Sequence, residues 1–286
     1  MKAWREQWER EGYLVLPGLF DPERAARLRR VCDGIMQQFL TRDAQSGSPG
    51  NPDGHCMRHL NHPAYFADFP PQHFTDLMDA CADELLLGVA RAILDEAALF
   101  RCTTYWFNPR TKHEDGNWHR DTQFVTKSEA DEKQMLEQHW SKNASAIQLQ
   151  VALAPSEDIQ VVPRSHKRWD TPEEYSIRRA DNMAHNRSNA MPGAWGVALQ
   201  PGDAALFNPD CLHRGRYHTD KLRRTLMFTY TKTSGPCLDY FSQQPWFLQP
   251  GYLQGLAPRT RAFFEPFVAQ YKDGWIAQER EVTAAG

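Results

Sequence analysis

The stretch Asn117-Trp118-His119-Arg120-Asp121-Thr122 contains a His-x-Asp motif, and the rest of the chain is interpreted around it. In an extended segment, residues two apart point to the same face. His119 and Asp121 can therefore offer an imidazole nitrogen and a carboxylate oxygen to one metal ion. A third ligand must come from elsewhere, and the best candidate is His213. Two histidines and one carboxylate, with open positions opposite them, are the ligand set of non-haem Fe(II) oxygenases.

An arginine follows His213 at a spacing of eleven residues, and it opens the strand-like run Arg224–Tyr230. A guanidinium at Arg224 can bind the far carboxylate of a 2-oxo acid through a two-pronged, charge-assisted contact. Arg223 should point to the opposite face, which makes it the weaker candidate. The segment between His213 and Thr231 is predicted to be a hairpin, with His213 and Arg224 on neighbouring strands and both facing inward.

This ordered set of residues resembles the Fe(II)/2-oxoglutarate dioxygenases of the phytanoyl-CoA dioxygenase type. Residues 11–20 resemble the opening strand and turn of that family. Residues 161–167 resemble its V-P-G-S-H segment, although Arg164 stands where glycine is usual. His-x-Asp alone is a weak signal, whereas the ordered set with its spacing and flanking stretches is specific. The resemblance extends over roughly residues 6–231.

The resemblance implies a mainly β protein with flanking α-helices and a double-stranded β-helix core, also called a jelly-roll or cupin-like core. It implies that His119, Asp121 and His213 bind Fe(II). It also implies 2-oxoglutarate as co-substrate, bound by Arg224, and O₂ as oxidant. Succinate and CO₂ would be released. Relatives that halogenate have a small residue at the position of Asp121. The carboxylate therefore favours hydroxylation, or a variant such as desaturation, over halogenation.

Length, charge and cysteine content indicate which partners and which cellular compartment to expect. The chain has 286 residues, 41% of them apolar, and a net charge of −3. This small charge gives no reason to expect nucleic acid or an anionic membrane as a partner. Six cysteines without Cys-x-x-Cys spacing, after a charged N-terminus that has no apolar segment, indicate a reduced cytoplasmic protein. No apolar run is long enough to cross a bilayer. The oligomeric state is not predicted.

A single domain is predicted over residues 1–286, with a helical part at about 1–95, a jelly-roll core at about 97–232 and a C-terminal extension at about 233–286. Helices are expected at residues 1–10, from 22 to about 40, from 74 to about 95 and from 260 to 276. Residues 43–56 are rich in turn-forming residues and are predicted to be a loop. We interpret the clustered histidines His55, His59 and His62 as partly exposed loop residues, in preference to a second metal site.

The candidate pocket residues come from two predicted strands and from the motif itself. Residues 146–153 alternate strictly, which places Gln148 and Gln150 on one face, and we predict that this face lines the site. Tyr105 and Phe107 share a face of the strand predicted at residues 97–108. Trp118 adjoins the motif, although packing is its simplest role. Residues 127–142 are predicted to be a helix, either a lid or a solvated helix, and residues 164–196 a long excursion above the barrel.

The predicted function is oxygenation of a small polar metabolite or natural-product intermediate. Two alternatives remain. A non-catalytic jelly-roll protein that binds or senses a small ligand would not need the iron ligands, yet all three are present. A zinc hydrolase can use the same three ligands. That function would leave Arg224 without a role and would lack an obvious general base beside the metal.

Overall fold

Antiparallel strands form two sheets in the computed structural model, which describes residues 2–46, 55–110, 112–142, 144–236 and 239–285. The larger sheet has six strands in the order β1-β8-β5-β10-β3-β2, and the smaller has four in the order β4-β9-β6-β7. The strands are β1 (Tyr13–Leu16), β2 (Cys56–Arg58), β3 (Ala98–Phe107), β4 (Glu114–Asp115), β5 (Ala146–Ala152), β6 (Ser156–Val161), β7 (Trp195–Leu199), β8 (Ala204–Phe207), β9 (His213–Tyr217) and β10 (Arg224–Lys232).

Helices precede, interrupt and follow these strands. The helix predicted from residue 74 to about 95 is two helices, because the backbone of Asp83 leaves helical geometry. Its carboxylate caps the second helix by accepting from the amides of Leu85 and Leu86. The second helix of the chain runs past the predicted end near Leu40, and residues 47–54 of the predicted loop lie outside the described residues. The helices are α1 (Lys2–Glu11), α2 (Pro22–Ser46), α3 (Pro71–Cys81), α4 (Glu84–Leu94), α5 (Glu129–His139), α6 (Pro172–Arg178), α7 (Ala180–Met183) and α8 (Pro258–Ala285).

The main hydrophobic core lies between the larger sheet and the helices. It is a continuous cluster of buried side chains that extends along the sequence from Trp8 to Trp275. The central strands β5 and β10 each contribute every second residue to this core. Burial of one such side chain contributes about 1.5–3 kcal/mol. These rows are Ile147, Leu149 and Val151 on β5 and Leu226, Phe228 and Tyr230 on β10.

The register between β5 and β10 determines which side chains of the larger sheet face away from the helices. Phe228 lies opposite Leu149, and both belong to the helix-facing core. Because side chains alternate along a strand, their neighbours Gln148, Gln150 and Met227 must point the other way, toward the smaller sheet. The polar row predicted on β5 therefore faces the space between the two sheets.

The predicted hairpin between His213 and Arg224 is wrong. β9 pairs with β4 and β6 in the smaller sheet, whereas β10 pairs with β3 and β5 in the larger one. The connection after Tyr217 therefore crosses from one sheet to the other. This crossing depends on pairings between residues distant in sequence, which a local turn signal does not report. The predicted excursion at 164–196 contains α6, α7 and the first residues of β7.

Two further features bear on the sequence-based expectations. Among the described residues, no helix is long and apolar enough to cross a membrane. The five cysteines in the same ranges are free thiols, and four of them are buried.

Candidate metal centre

The three predicted metal ligands lie together. The ligand atoms of His119, Asp121 and His213 all lie within 4.8 Å of one another. The Oδ1 atom of Asp121 is 3.6 Å from Nε2 of His119 and 3.5 Å from Nε2 of His213. Backbone pairing produces this proximity, because the amide of His119 donates to the carbonyl of His213 at 3.1 Å and the reverse bond measures 3.0 Å. Two segments distant in sequence are thus joined at the residues that carry the ligands.

Both imidazoles are oriented by backbone carbonyls. Nδ1 of His119 donates to the carbonyl of Asn117 at 2.6 Å, and Nδ1 of His213 donates to that of Cys211 at 2.9 Å. A carbonyl only accepts, so each Nδ1 must carry a proton, and in the neutral ring Nε2 then has a free lone pair. Both free lone pairs belong to the atoms nearest Asp121. Histidines that ligate metals are commonly held in this way through their second nitrogen.

The electrostatics also suit a metal ligand set. Burial, and next the charge of His213, lower the pKa of His119 to about 4, so the imidazole is neutral near pH 7. Burial raises the pKa of Asp121, but the cationic forms of His213 and His119 and the charge of Arg101 favour its ionised form and hold the pKa below its usual value. Neutral imidazoles and an ionised carboxylate are the forms that bind a divalent cation.

The triad forms part of the wall of a cavity of about 600 Å³. Side chains of the larger sheet line one side, among them Gln148, Gln150 and Met227, and Ile159 of β6 lines the other. A volume of this size is typical of sites for small organic ligands. The cavity therefore offers room for a co-substrate and a second small molecule beside the metal ligands.

The two glutamines lie where the alternation of β5 predicted them. Both line the cavity, and Gln150 is only 5% exposed. Its Oε1 atom is buried without a hydrogen-bond partner. A buried amide oxygen left unpaired costs about 1–3 kcal/mol, so this acceptor is available to a bound molecule that carries a donor.

Arg224 does not line the cavity, and the prediction that it faces inward is wrong. Its Nε donates to Asp33 of α2 at 2.5 Å, and its Nη1 donates to Asn108 at 2.8 Å. Arg224 belongs to the same row of β10 as Leu226 and Phe228, which faces the helices. The apolar alternation that follows it was the signal that could have assigned this face correctly.

Arg223 lines the cavity instead and is 3% exposed. Its guanidinium carbon lies 4.7 Å from the ring centre of Tyr217 and 5.3 Å from that of Trp106. Nη1 donates to the carbonyl of Arg216 at 3.2 Å, whereas Nε is buried without a hydrogen-bond partner. The nearest carboxylate oxygen, on Asp158, is 3.8 Å away from this Nε. The cavity thus contains a buried cation with an unused donor.

Three other predicted pocket residues lie elsewhere. Phe107 and Tyr105 oppose Arg224 and Leu226 in the register of β3 with β10, so they face the helical layer. The hydroxyl of Tyr105 donates to Asp33 at 3.0 Å. Trp118 is 1% exposed, and its indole nitrogen donates to the carbonyl of Ser188 at 2.9 Å. Packing is therefore the role of these three aromatic residues.

Several residues that line the cavity were not among the predicted pocket residues. Trp106 lines the cavity because it occupies the face of β3 opposite Tyr105 and Phe107, and the alternation of β3 could have indicated it. Arg58 and Phe241 come from segments of three residues, and Arg101 lies at a register shift within β3; no motif marks any of the three. Met135 and His139 of α5 also line the cavity, so the helix predicted at residues 127–142 adjoins the site.

The clustered histidines His55, His59 and His62 are not grouped as metal ligands, because in the described ranges they belong to no cluster with metal-ligand spacing. His59 is buried and not partly exposed as predicted, because its ring packs against Tyr240 at 4.9 Å and Trp246 at 5.3 Å. Burial lowers the pKa of His59 to about 4, which keeps it neutral.

The fold is shared with solved structures that are distant in sequence. EctD from S. alaskensis, solved with 2-oxoglutarate and 5-hydroxyectoine, is 20% identical with a TM-score of 0.56, and the match covers 91% of this chain and 86% of that one. AviO1 from Streptomyces viridochromogenes Tue57 is 17% identical with a TM-score of 0.55, covering 83% and 97%. SnoK, a non-haem α-ketoglutarate-dependent carbocyclase from nogalamycin biosynthesis, is 14% identical with a TM-score of 0.54, covering 82% and 84%.

These similarities confirm the predicted jelly-roll core with flanking helices. No curated protein sequence matches the chain. The family model described as phytanoyl-CoA dioxygenase (PhyH) matches residues 8–225, which include all three metal-ligand candidates. The chain therefore belongs to the phytanoyl-CoA dioxygenase family, whose cofactor is Fe(II) and whose co-substrate is 2-oxoglutarate.

Proposed function

We propose that this protein is an Fe(II)- and 2-oxoglutarate-dependent dioxygenase that hydroxylates a C–H bond of a small polar molecule. One observation carries the proposal: two imidazole Nε2 atoms and a carboxylate oxygen converge in the wall of a cavity, and backbone carbonyls hold both histidines in the ligating tautomer. Such a ligand set on one side of a metal leaves positions open for other molecules.

His119, Asp121 and His213 would hold the metal. Bound Fe(II), with 2-oxoglutarate and O₂, supplies the oxidising chemistry and releases succinate and CO₂. The residues of this chain then have three tasks: to bind the co-substrate, to orient the substrate, and to exclude water from the reacting atoms. Asp121 also occupies the position at which a halide would need room, which is why we propose hydroxylation.

Arg223 is the residue that we propose grips 2-oxoglutarate, in place of Arg224. A carboxylate approaching it would find an unused Nε donor on a guanidinium that packs against the rings of Tyr217 and Trp106. The fixed fork geometry of a guanidinium suits two parallel hydrogen bonds to a carboxylate. Its burial strengthens the contact, because the effective dielectric constant is lower than in water.

We assign substrate orientation to Gln148 and Gln150, which line the same cavity as the triad from the larger sheet. Apolar side chains complete the wall, including Met227 and Ile159. At the mouth, Phe124 and Val125 line the cavity while remaining 67% and 72% exposed. A substrate with a polar group and an apolar portion would satisfy both parts of this lining.

An anaerobic titration tests the proposal. Fe(II) and 2-oxoglutarate added together should produce a weak visible charge-transfer band that neither produces alone. The Asp121→Ala variant serves as the control and should give no band. Absence of the band in the wild-type protein would overturn the proposal, because a zinc hydrolase or a ligand sensor that does not bind both molecules would give no band. Candidate substrates are then compared by succinate formation in air, and the product should gain one oxygen atom.

A further inference from the structure

Two arginines outside the metal centre line the cavity together. The guanidinium carbons of Arg58 and Arg101 lie 5.2 Å and 4.7 Å from the ring centre of Phe241, which lines the same cavity. Two cations therefore share one aromatic ring. Each Nε atom is buried and lacks a hydrogen-bond partner. Buried donors of this kind are costly unless another group pairs with them.

Local backbone geometry directs both side chains inward. Arg58 pairs with Thr104 across β2 and β3, one residue away from the helix-facing pair of Met57 and Tyr105. The register between β3 and β10 shifts at Arg101, because Cys102 pairs with Thr229 and Phe100 with Tyr230. Arg101 is thus the extra residue of a β-bulge. Bulges re-aim a side chain and are common next to active sites.

The charges at this end of the cavity do not balance. Arg101 pairs with Asp239 through Nη2, whereas no carboxylate pairs with Arg58 among the described residues. Four guanidiniums line the whole cavity, those of Arg58, Arg101, Arg214 and Arg223, against two carboxylates, those of Asp121 and Asp210. Bound Fe(II) and 2-oxoglutarate carry opposite charges of equal size, so they leave this excess of positive charge in place.

Arg101 is also separated along β3 from the proposed 2-oxoglutarate position. Arg223 stacks over Trp106, and Arg101 lies five residues farther along β3. At the usual rise of a strand this corresponds to roughly 15 Å. One dicarboxylate held beside the metal by Arg223 would leave the second position free for another molecule.

We propose that the substrate carries an anionic group, a carboxylate or a phosphate, that binds between Arg58 and Arg101 beside Phe241. The proposal rests on the proposed function, which assigns the metal to His119, Asp121 and His213 and assigns 2-oxoglutarate to Arg223. An aromatic or aliphatic body attached to that group would lie against Met227 and Ile159. The anionic group would neutralise the excess charge and fill the unused donors.

Calorimetric titration of the anaerobic Fe(II)·2-oxoglutarate complex tests this inference with four ligands of one shape: phenyl phosphate, phenylacetate, phenylacetamide and phenethylamine. Formation of the charge-transfer band is checked first, so failure of the proposed function is recognised before any ligand is added. The anionic ligands should bind and the amide and amine should not. Comparison of the affinities for phenyl phosphate and phenylacetate then identifies which anion the site prefers.

Arg58→Gln is the decisive variant, because it removes the charge without breaking an ion pair of the described residues. It should weaken binding of the anionic ligands about 10- to 100-fold, which is the effect expected for loss of a hydrogen bond to a charged group. Arg101→Gln should act in the same direction, and Arg261→Gln, on the exposed face of α8, should have no effect. Equal binding of phenylacetamide and phenylacetate, no binding of either anion, or wild-type affinity in Arg58→Gln would overturn the inference.

Discussion

Arginines lie both behind the metal centre and along its cavity, but the two groups differ in their counter-ions. Arg120 and Arg178 have fully buried side chains, and each pairs with Asp170, at 2.8 Å and 2.7 Å. Arg178 also binds Glu132 at 3.0 Å. In the cavity, by contrast, Arg58 has no carboxylate partner in the described ranges and Arg223 has one only at 3.8 Å. Buried charge that supports the fold is neutralised within the fold, whereas the charges of Arg58 and Arg223 in the cavity have no close carboxylate partner among the described residues.

The paired group also explains how the metal ligands are held. Arg120 lies between His119 and Asp121 in sequence, and its guanidinium donates to the carbonyls of Ser165 and Asp210. It thereby connects the His-x-Asp segment to the loop that leads into His213. The middle residue of the motif is therefore a structural residue, and its two neighbours are left to face the cavity.

The largest effect is expected at the ligands themselves. Asp121→Ala, His119→Ala or His213→Ala should abolish succinate formation, because loss of a ligand exceeds the roughly 10–100-fold cost of losing a group that only orients one. The fold should persist, since none of the three takes part in the buried ion-pair network. Activity and iron content, measured beside the circular dichroism spectrum, check this. Wild-type turnover by Asp121→Ala would contradict the assignment.

The next largest effect is on stability, and it tests the comparison directly. Arg178→Met removes one partner of a fully buried network and leaves Glu132 and Asp170 short of a counter-ion, so it should cost about 3–5 kcal/mol of unfolding free energy. Arg223→Met, which removes a cation without a close carboxylate, should cost far less. Chemical denaturation of both variants gives the measurement. Equal losses would show that the cavity arginine supports the fold as much as the network does.

Separate substitution of the two adjacent arginines tests whether the cavity arginine binds 2-oxoglutarate and the paired arginine does not. Arg223→Ala should weaken 2-oxoglutarate binding by about 2–5 kcal/mol, as expected when a buried charged contact is lost. Arg224→Ala should leave this affinity near that of the wild type, since its side chain binds Asp33 and Asn108. Titration of the charge-transfer band with 2-oxoglutarate measures both. The opposite result would restore Arg224 as the gripping residue.

The smallest effect is expected from the neutral side chains of the cavity. Gln148→Leu or Gln150→Leu should lower the amount of product formed per succinate without displacing iron, because a substrate hydrogen bond worth about 0.5–1.5 kcal/mol is lost. Succinate and the oxidised product are both quantified once a substrate has been identified. Unchanged coupling and unchanged KM values in both variants would show that neither amide orients the substrate.

The sequence was sufficient for the elements that local patterns encode. The motif and the distant histidine indicated the triad, and strict alternation on β5 placed Gln148 and Gln150 correctly. The error at Arg224 arose because a spacing of eleven residues does not say which face of a strand is buried. The row that continues through Leu226 and Phe228 contains that information.

Other features could not be derived in this way. The bulge that turns Arg101 into the cavity lacks the glycine or proline that often marks such irregularities, and it exists only relative to the register of β10. The passage of the chain from β9 in one sheet to β10 in the other likewise depends on partners distant in sequence. Both features follow from the assembled sheets and not from a local pattern.

The reciprocal backbone bonds between His119 and His213 have a consequence for local unfolding. They join residues that lie 94 positions apart (213 − 119), so the ligand set exists only while two segments distant in the chain remain docked. A metal that binds only the docked state must lower the population of every opened state by mass action. The amides of His119 and His213 should therefore exchange hydrogen with solvent more slowly as Fe(II) concentration rises, while fraying of α1 proceeds at an unchanged rate.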